Sequence, residues 1–465
     1  MSDVAIVMPE IRALNEKGVM IDDLLGGTKT MRQAGKKYLY QFSLEEEEAY
    51  KNRLNRSTLY PALSETLYQM TGRVFFEPIT TNDVHDKLKQ DILPDVDLEG
   101  NNVDVFSSRW FNPGLTYGVA WCLVDYTRTE NVRTIADEKA VNARPYFILI
   151  KPKNVLGFKT DKIKGKRQIT QFRYMEEVSV DDGEFGSKIE KIIYVYEIGR
   201  MRKYKATEGQ WTLIDDVQLL AQNRPLEVVP VVPFITKESN VFALGEPPLL
   251  ELAYLNVKHW QSQSDQDNIL NTARVPLLGI FSDTEVNKLQ VGGSALHLPA
   301  GSQIAYIEHS GNAINAGQDS LKELESQMRV AGAKLLDKTV LAMTDSQAKE
   351  EQGKEISLLR LYANKFEDAL DLALEYVGLW LGIDDVGKVE ISGNIDDDLE
   401  PNASMDMVIK MQQAGTLSKQ TVFNEAKRRG LISDNVEWED EQARLNEEGV
   451  EYDLEFAGQA ETKPE

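Results

Sequence analysis

The chain has 465 residues, enough for about three structural units, and its 42% apolar and 27% charged residues exclude a collagen-like or wholly disordered polypeptide. Lys plus Arg number 52 against 75 Asp plus Glu, a net charge of −23 that argues against sequence-specific DNA binding but not against a surface past which DNA slides. No apolar run approaches the ~20 residues of a bilayer-spanning helix, and the start lacks a secretory pattern, so no membrane association is expected.

Residues 1–27 end in Gly26-Gly27 and read as a loosely attached N-terminal arm. From Thr28 to Ile79 the pattern is mostly helical, with a break or kink at Pro61. Ser43 followed by Glu46 predicts a capping box that opens a helix there. A second helical block over Asp104–Ala120, interrupted at Pro113-Gly114, leads into the apolar run Trp121–Val124. Within that run Cys122 cannot form an internal disulfide, is expected to be buried, and points to folding in a reducing compartment.

From Arg144 to about Val231 short β-branched and aromatic runs alternate with turns, predicting an antiparallel β-rich subdomain. Its first strands carry a basic stretch, Lys151–Tyr174, with eight cations against Asp161. Such a stretch reads most simply as a solvated face.

Helix restarts after Gly245-Glu246-Pro247-Pro248, with apolar residues at helical spacing to Trp260. The next segment, QSQSDQDN, is helix-compatible but polar all round, so it needs neighbours or a watery face within an assembly. Val275–Phe281 and Ala295–Leu298 are predicted strands of a compact insert ending near Gly311. Gln318–Leu336 is a second helix, with a seam of Leu321, Leu324, Met328, Ala331 and Leu335. After the polar stretch Thr344–Gly353, a long helix to Leu381 is apolar on more than one face. Beyond Pro401 shorter helices are expected to Gln413, from Leu417 to Gly430 and over Glu437–Glu448, then a disordered acidic tail.

Catalysis is not expected. The four histidines, His85, His259, His297 and His309, lack metal-ligand spacing, and one cysteine cannot supply a thiolate cluster, so neither a metal nor a cofactor is predicted. Gly382-Ile-Asp-Asp-Val-Gly387-Lys388 has the glycine spacing of a phosphate loop. Val389 replaces the needed Ser or Thr there, and two aspartates would repel phosphate. With 75 acids a carboxylate-dependent hydrolase remains the rival from another class, and another ring-forming connector or adaptor is a third reading.

The segments YKNRLNRSTLYPALSETLYQMTGRVFFEP, GVAWCLVDY with ARPYFILIKPKNVLGF, GEPPLLELAYLNVKHWQSQSDQDNILNTARVPLLGIF, ISLLRLYANKFEDALDLALEYVGLWLGI and AGTLSKQTVFNEAKRRGLI, in this order, resemble the portal proteins of tailed double-stranded DNA bacteriophages. The resemblance implies an α+β, mainly helical portal fold and a homo-oligomeric ring, typically a dodecamer, at one capsid vertex. After the N-terminal arm read at 1–27, it implies a wing at 28–245, β-rich from about 144. Stem helices fall at 246–272 and 317–337, with the clip at 273–316. A channel loop follows at 338–353, a long wing helix and strand at 354–398, and a crown with its acidic tail at 399–465.

Implied partners are double-stranded DNA held without sequence preference, the major capsid protein, the terminase large subunit and a head–tail adaptor. The implied location is the virion, assembled in the host cytoplasm. Carried onto this chain, Gln261, Gln263 and Gln266 would face the channel. Gln347, Lys349, Gln352 and Lys354 would touch DNA phosphate, unless the lysines pair with Glu350, Glu351 and Glu355. Trp380, Phe366 and Tyr376 would serve packing.

Overall fold

The computed structural model describes residues 3–127, 142–207, 209–274, 277–281, 303–307, 312–335, 338–339, 356–393, 395, 408–428, 432 and 436–444. The chain divides into a large unit, Met1–Gly393, and a small one, Asn394–Glu465. The fold is α+β.

The large unit opens with helices α1 (Pro9–Leu25), α2 (Gly27–Ala34), α3 (Glu47–Arg56), α4 (Ala62–Val74), the short α5 (Asp86–Asp91) and α6 (Val103–Tyr117). The expected loose arm is instead a packed helix. Ile11, Leu14, Ile21 and Leu24 recur on one face of α1 and are buried, because the chain turns at Gly26 without losing its apolar stripe. The expected capping box at Ser43 is also corrected. Helix α3 begins at Glu47, and Glu45 turns its carboxylate to Phe42 N and to Arg53. Pro113 does not interrupt α6, which runs through it to a left-handed cap at Gly118. Pro61 does mark a break, standing at the N-cap of α4.

Strand β1 (Val119–Tyr126) is buried from Val119 to Asp125 and pairs antiparallel with β2 (Pro145–Ile150) on one side. The meander β3 (Val155–Ile163), β4 (Lys166–Asp182), β5 (Gly186–Glu197), β6 (Arg200–Thr207) and β7 (Gln210–Gln218) forms a five-stranded antiparallel sheet. A two-residue hairpin, β8 (Leu220–Ala221) with β9 (Arg224–Pro225), leads to β10 (Val231–Ile235), which closes the other side of β1. Short strands β11 (Lys237–Glu238) and β12 (Gly245–Glu246) pair before the next helix.

That helix, α7 (Leu250–Ala273), is followed by the paired strands β13 (Leu277–Phe281) and β14 (Gln303–Ile307) and by α8 (Asn312–Ala333). The partner of β13 is therefore Gln303–Ile307; the strand expected at Ala295–Leu298 lies outside the described residues. Strand β15 (Lys338–Thr339) pairs with β16 (Ile356–Ser357), which leads directly into α9 (Leu358–Leu381). Ser357 Oγ caps α9 by accepting from Arg360 N at 3.1 Å.

The core of the large unit forms where α4, α6, β10 and α9 meet. Phe75, Trp110, Phe111 and Phe234 surround the fully buried Phe366, and Trp380 donates Nε1–H to the Val124 carbonyl at 3.1 Å. Phe366 and Trp380 are thus packing residues; Tyr376 is half-buried. Cys122 is buried in β1, its thiol pKa pushed well up by desolvation.

In the small unit residues 408–413 are helical, followed by α10 (Lys419–Arg428) and a helical segment at 438–444. Ser418 Oγ accepts from Thr421 N at 3.1 Å, and Phe423 packs on Trp438 with ring centroids 5.4 Å apart. The start of the first helix expected beyond Pro401, Gly430 and the residues from 445 onward lie outside the described residues.

Candidate functional site

Helices α7 and α8 are joined through the β13–β14 strand pair and pack against each other. The seam expected on α8 is the buried one: Leu321, Leu324, Met328 and Leu335 are each at most 3% exposed, and Ala331 is half-buried. On α7 the apolar anchors Leu252, Ala253 and Trp260 are buried, and the helix then enters its polar half. What holds that half is a set of side chains from the N-terminal helices.

Arg53 of α3 is 3% exposed. It grips Glu45 with Nε on Oε1 and Nη2 on Oε2, both at 2.8 Å, and donates to the Tyr40 carbonyl at 2.6 Å. Its guanidinium also lies 4.2 Å from the Phe42 ring centroid. From this anchor Nη1 reaches Ser264 Oγ at 3.5 Å and Asp265 Oδ1 at 3.6 Å on α7. Ser57 Oγ donates to Ser264 Oγ at 2.8 Å. Asn256 accepts from Leu63 N at 3.1 Å and donates to the Tyr60 carbonyl at 2.8 Å, joining the start of α4 to α7 one turn below Trp260. The Arg53 hydrogen bonds hold the Glu45 carboxyl below the ordinary range, while burial raises Asp265.

Of the three glutamines expected to face a channel, Gln266 is turned inward. Gln266 is 3% exposed and donates to the Ile314 carbonyl at 2.9 Å, so it lies between α7 and α8 rather than on an open face. Gly317 makes room for it; a β-carbon there would overlap Gln266 Oε1. Gln261 donates to the Tyr38 carbonyl at 2.7 Å and ties α7 to the turn after α2. Gln263 donates to Asp267 Oδ1 at 2.8 Å on its own helix, and both are half-buried within the single chain. Gln347, Lys349, Gln352 and Lys354 lie outside the described residues.

His259 was not singled out by its sequence context. It is 2% exposed on α7, rings stacked obliquely with Tyr60 at 5.2 Å, and Nε2 stands 3.6 Å from Glu325 Oε1 on α8. Neither ring nitrogen has a hydrogen-bond partner, and burial lowers its pKa despite the opposing pull of Glu325. A histidine held neutral in the fold takes up its proton more readily when unfolded. The stability this confers is present above the unfolded pKa near 6.5 and is lost as pH falls through that value toward the folded pKa. His259→Gln should flatten the loss of stability that begins as pH falls below about 6.5, measured by urea titration at several pH values.

The loop with phosphate-loop glycine spacing is settled by its geometry. Gly382 caps the end of α9 in left-handed conformation, and Gly387 (φ 77°) presses on the Asp83 backbone, where any β-carbon would overlap. The segment follows a helix C-terminus, the negative end of its dipole, and Gly387 N is already bonded to Asp385 Oδ1 at 3.1 Å. Among the described residues no group of three or more His, Cys, Asp or Glu is placed to hold a metal ion, and no helix is long and apolar enough to cross a membrane. A cleft of about 550 Å³ beside the central strands is lined by Asp97, Asp125, Tyr174, Tyr194, Tyr196 and Lys203 among others. In it Asp125 Oδ2 accepts from Tyr196 OH at 2.8 Å.

Residues 248–381, from the start of α7 to the end of α9, match a protein family described as a domain of unknown function (DUF4055). No curated protein matches the chain. Among solved structures it is similar to a chain in the virion of a native gene transfer agent particle, at 10% identity and TM-score 0.42, over 86% of this chain and 97% of that one. It is also similar to chains in the neck of an empty gene transfer agent particle computed with C6 symmetry and of a native one computed with C12 symmetry. Both are 10% identical, with TM-scores of 0.39 and 0.40, over 78% of this chain and 88% of those.

Proposed function

We propose that this protein is a phage-type portal: a homo-oligomeric ring at one capsid vertex through which double-stranded DNA enters and leaves, and on which terminase and a head–tail adaptor dock. The observation that carries the reading is the order helix, strand-pair insert, helix, polar segment, long buried helix over Leu250–Leu381, with the polar half of α7 clamped to the wing by Arg53. A polar helix held by its base and not by an apolar face suits a wall that water and DNA pass.

Electrostatics favour the same reading. Between Lys258 and Arg274 α7 has no cation, only Asp265 and Asp267 among its charges, and the chain as a whole carries −23. A wall of that kind binds phosphate too weakly to stall a sliding duplex. In this ring Gln263 and Asp267 are the α7 side chains left to face the channel, and Gln261 and Gln266 set the helix's position. Lys349 and Lys354, with Gln347 and Gln352, supply transient point-charge contacts to DNA, without the forked grip of arginine. The chain is passive, and the force for packaging comes from the terminase ATPase.

Imaging of purified particles, with native mass, tests the ring: closed annuli with an axial hole are expected, and turnover of a substrate by monomers would overturn the reading in favour of a hydrolase. Lys349→Glu with Lys354→Glu should cut packaged DNA per particle about tenfold or more while rings still form. Full packaging by the double variant removes the contact assignment.

A further inference from the structure

The five-stranded sheet has two oppositely charged ends. Strand β4 pairs with β3 through residues 166–174 and with β5 through 171–182, so the β3–β4 turn and the β4–β5 turn project from opposite ends of one long strand. Seventeen residues at about 3.3 Å each separate them by roughly 55 Å. The β3–β4 turn is a two-residue connection with Lys164 (φ 50°) and Gly165 (φ 84°) both left-handed, the tight hairpin form. Around it stand Lys159, Lys162, Lys164, Lys166 and Arg167 against the single acid Asp161.

The other end is the reverse in sign. Beyond Ile192, where β6 stops pairing, β4 and β5 continue as a two-stranded ribbon with which no third strand pairs among the described residues, Lys205 of β6 reaching it only by its side chain, at 2.6 Å from Glu190. Such a ribbon is marginal by itself in water. It carries Glu176, Glu177, Asp181, Asp182, Glu184 and Glu190 against Lys188 and Lys191. Those two lysines are held within the ribbon, Lys191 to Glu177 at 3.5 Å and Lys188 to Asp182 and Glu190 at 3.8 Å, leaving the tip acidic. At that tip Phe185 is 94% exposed, and Ile189 behind it is 68% exposed.

We infer that the acidic β4–β5 ribbon of one copy docks on the basic β3–β4 turn of the next, a head-to-tail contact that fits identical subunits arranged in a circle. The inference rests on the ring reading above and names the contact that would close it. Opposite charge at the two ends of a rigid strand attracts unlike ends of two copies and repels like ends, which sets direction as well as attraction. Phe185 supplies apolar area at the centre of an otherwise polar contact. A natural seat is the Phe242 ring, which the Arg167 guanidinium already covers at 5.1 Å. Among the described residues the one ion pair of the basic turn, Lys164 to Glu227 at 3.1 Å, is more than 80% exposed on both sides and exchanges at little cost.

The test uses the full chain with Lys164→Cys and Phe185→Cys, since the native Cys122 is buried and does not interfere. Mild oxidation at low salt should give a ladder of covalent multimers that fades about tenfold by 0.5 M NaCl. Reversing the basic end (Lys162→Glu, Lys166→Glu, Arg167→Glu) or the acidic end (Asp181→Lys, Asp182→Lys, Glu184→Lys) should abolish the ladder. Both reversals in one chain, or an equal mixture of the two, should restore it. A ladder that survives either single reversal overturns the docking. Rings without a ladder overturn this contact and leave the portal reading standing, whereas a ladder of open chains without rings supports the contact and counts against the portal. If short duplex DNA binds the basic turn and abolishes the ladder, that turn is a nucleic-acid site and the docking falls.

Discussion

Arg53→Met is expected to lower the unfolding free energy of the large unit by about 3–5 kcal/mol, the loss typical when one member of a buried ion pair is removed. Glu45, at 8% side-chain exposure, would be left without its two guanidinium bonds, and the Tyr40 carbonyl and Ser264 would lose a donor. The companion Arg53→Met, Glu45→Leu double variant should recover most of the loss, because two apolar side chains need no compensation. If the single and double variants are equally unstable in urea, the cost lies in the α3–α7 contact and not in the stranded charge.

The pair also dictates an acid response. Because Glu45 ionises below the ordinary carboxylate range in the fold, its contribution is present above the unfolded value near 4.5 and is lost as pH falls through the folded one. That window opens at lower pH than the one set by His259, so the onset of each group's effect can be read in one pH series. In Glu45→Gln the acid limb should flatten while the step near pH 6.5 remains.

How much of this could be read from the sequence depends on whether a residue's partner is near in sequence. The α8 seam, the C-terminal end of α9 at Leu381, and the antiparallel meander follow from local period and turn chemistry, and they appear where expected. The polar half of α7 was recognisable as needing support, but its support comes from Arg53, 211 residues away from Ser264, and no local pattern announces that pairing. The capping box is displaced by a nearer competitor, an arginine only eight residues on. Ser43 and Glu46 have the right spacing, yet Glu45 gains more from Arg53 than a helix start at Ser43 would return. Gln266, which the resemblance places facing a channel, instead bonds the Ile314 carbonyl of α8. Gly317, half a hundred residues on, is what lets it turn inward.

Phe366→Ala should cost about 3–5 kcal/mol, as expected for emptying a large aromatic site in a closed core. Four rings stand nearly perpendicular to Phe366, at centroid distances of 4.9 Å to Phe234, 5.1 Å to Trp110, 5.6 Å to Phe111 and 5.8 Å to Phe75. Edge-to-face pairs add to the burial term, and a planar cavity between rigid rings collapses poorly. The effect should reach further than the cavity. Leu359 N donates to the Leu335 carbonyl at 2.8 Å, so the first turn of α9 holds the end of the α8 segment, and β16 immediately before it holds β15. Loosening α9 should therefore raise hydrogen exchange at Leu359 and along the last turn of α8, whereas Phe423→Ala in the small unit should leave both unchanged. Protection at Leu359 that survives the loss of Phe366 would mean that the pair of helices is positioned by Arg53 and Asn256 alone, and that the aromatic core is not what fixes the geometry of α7 and α8.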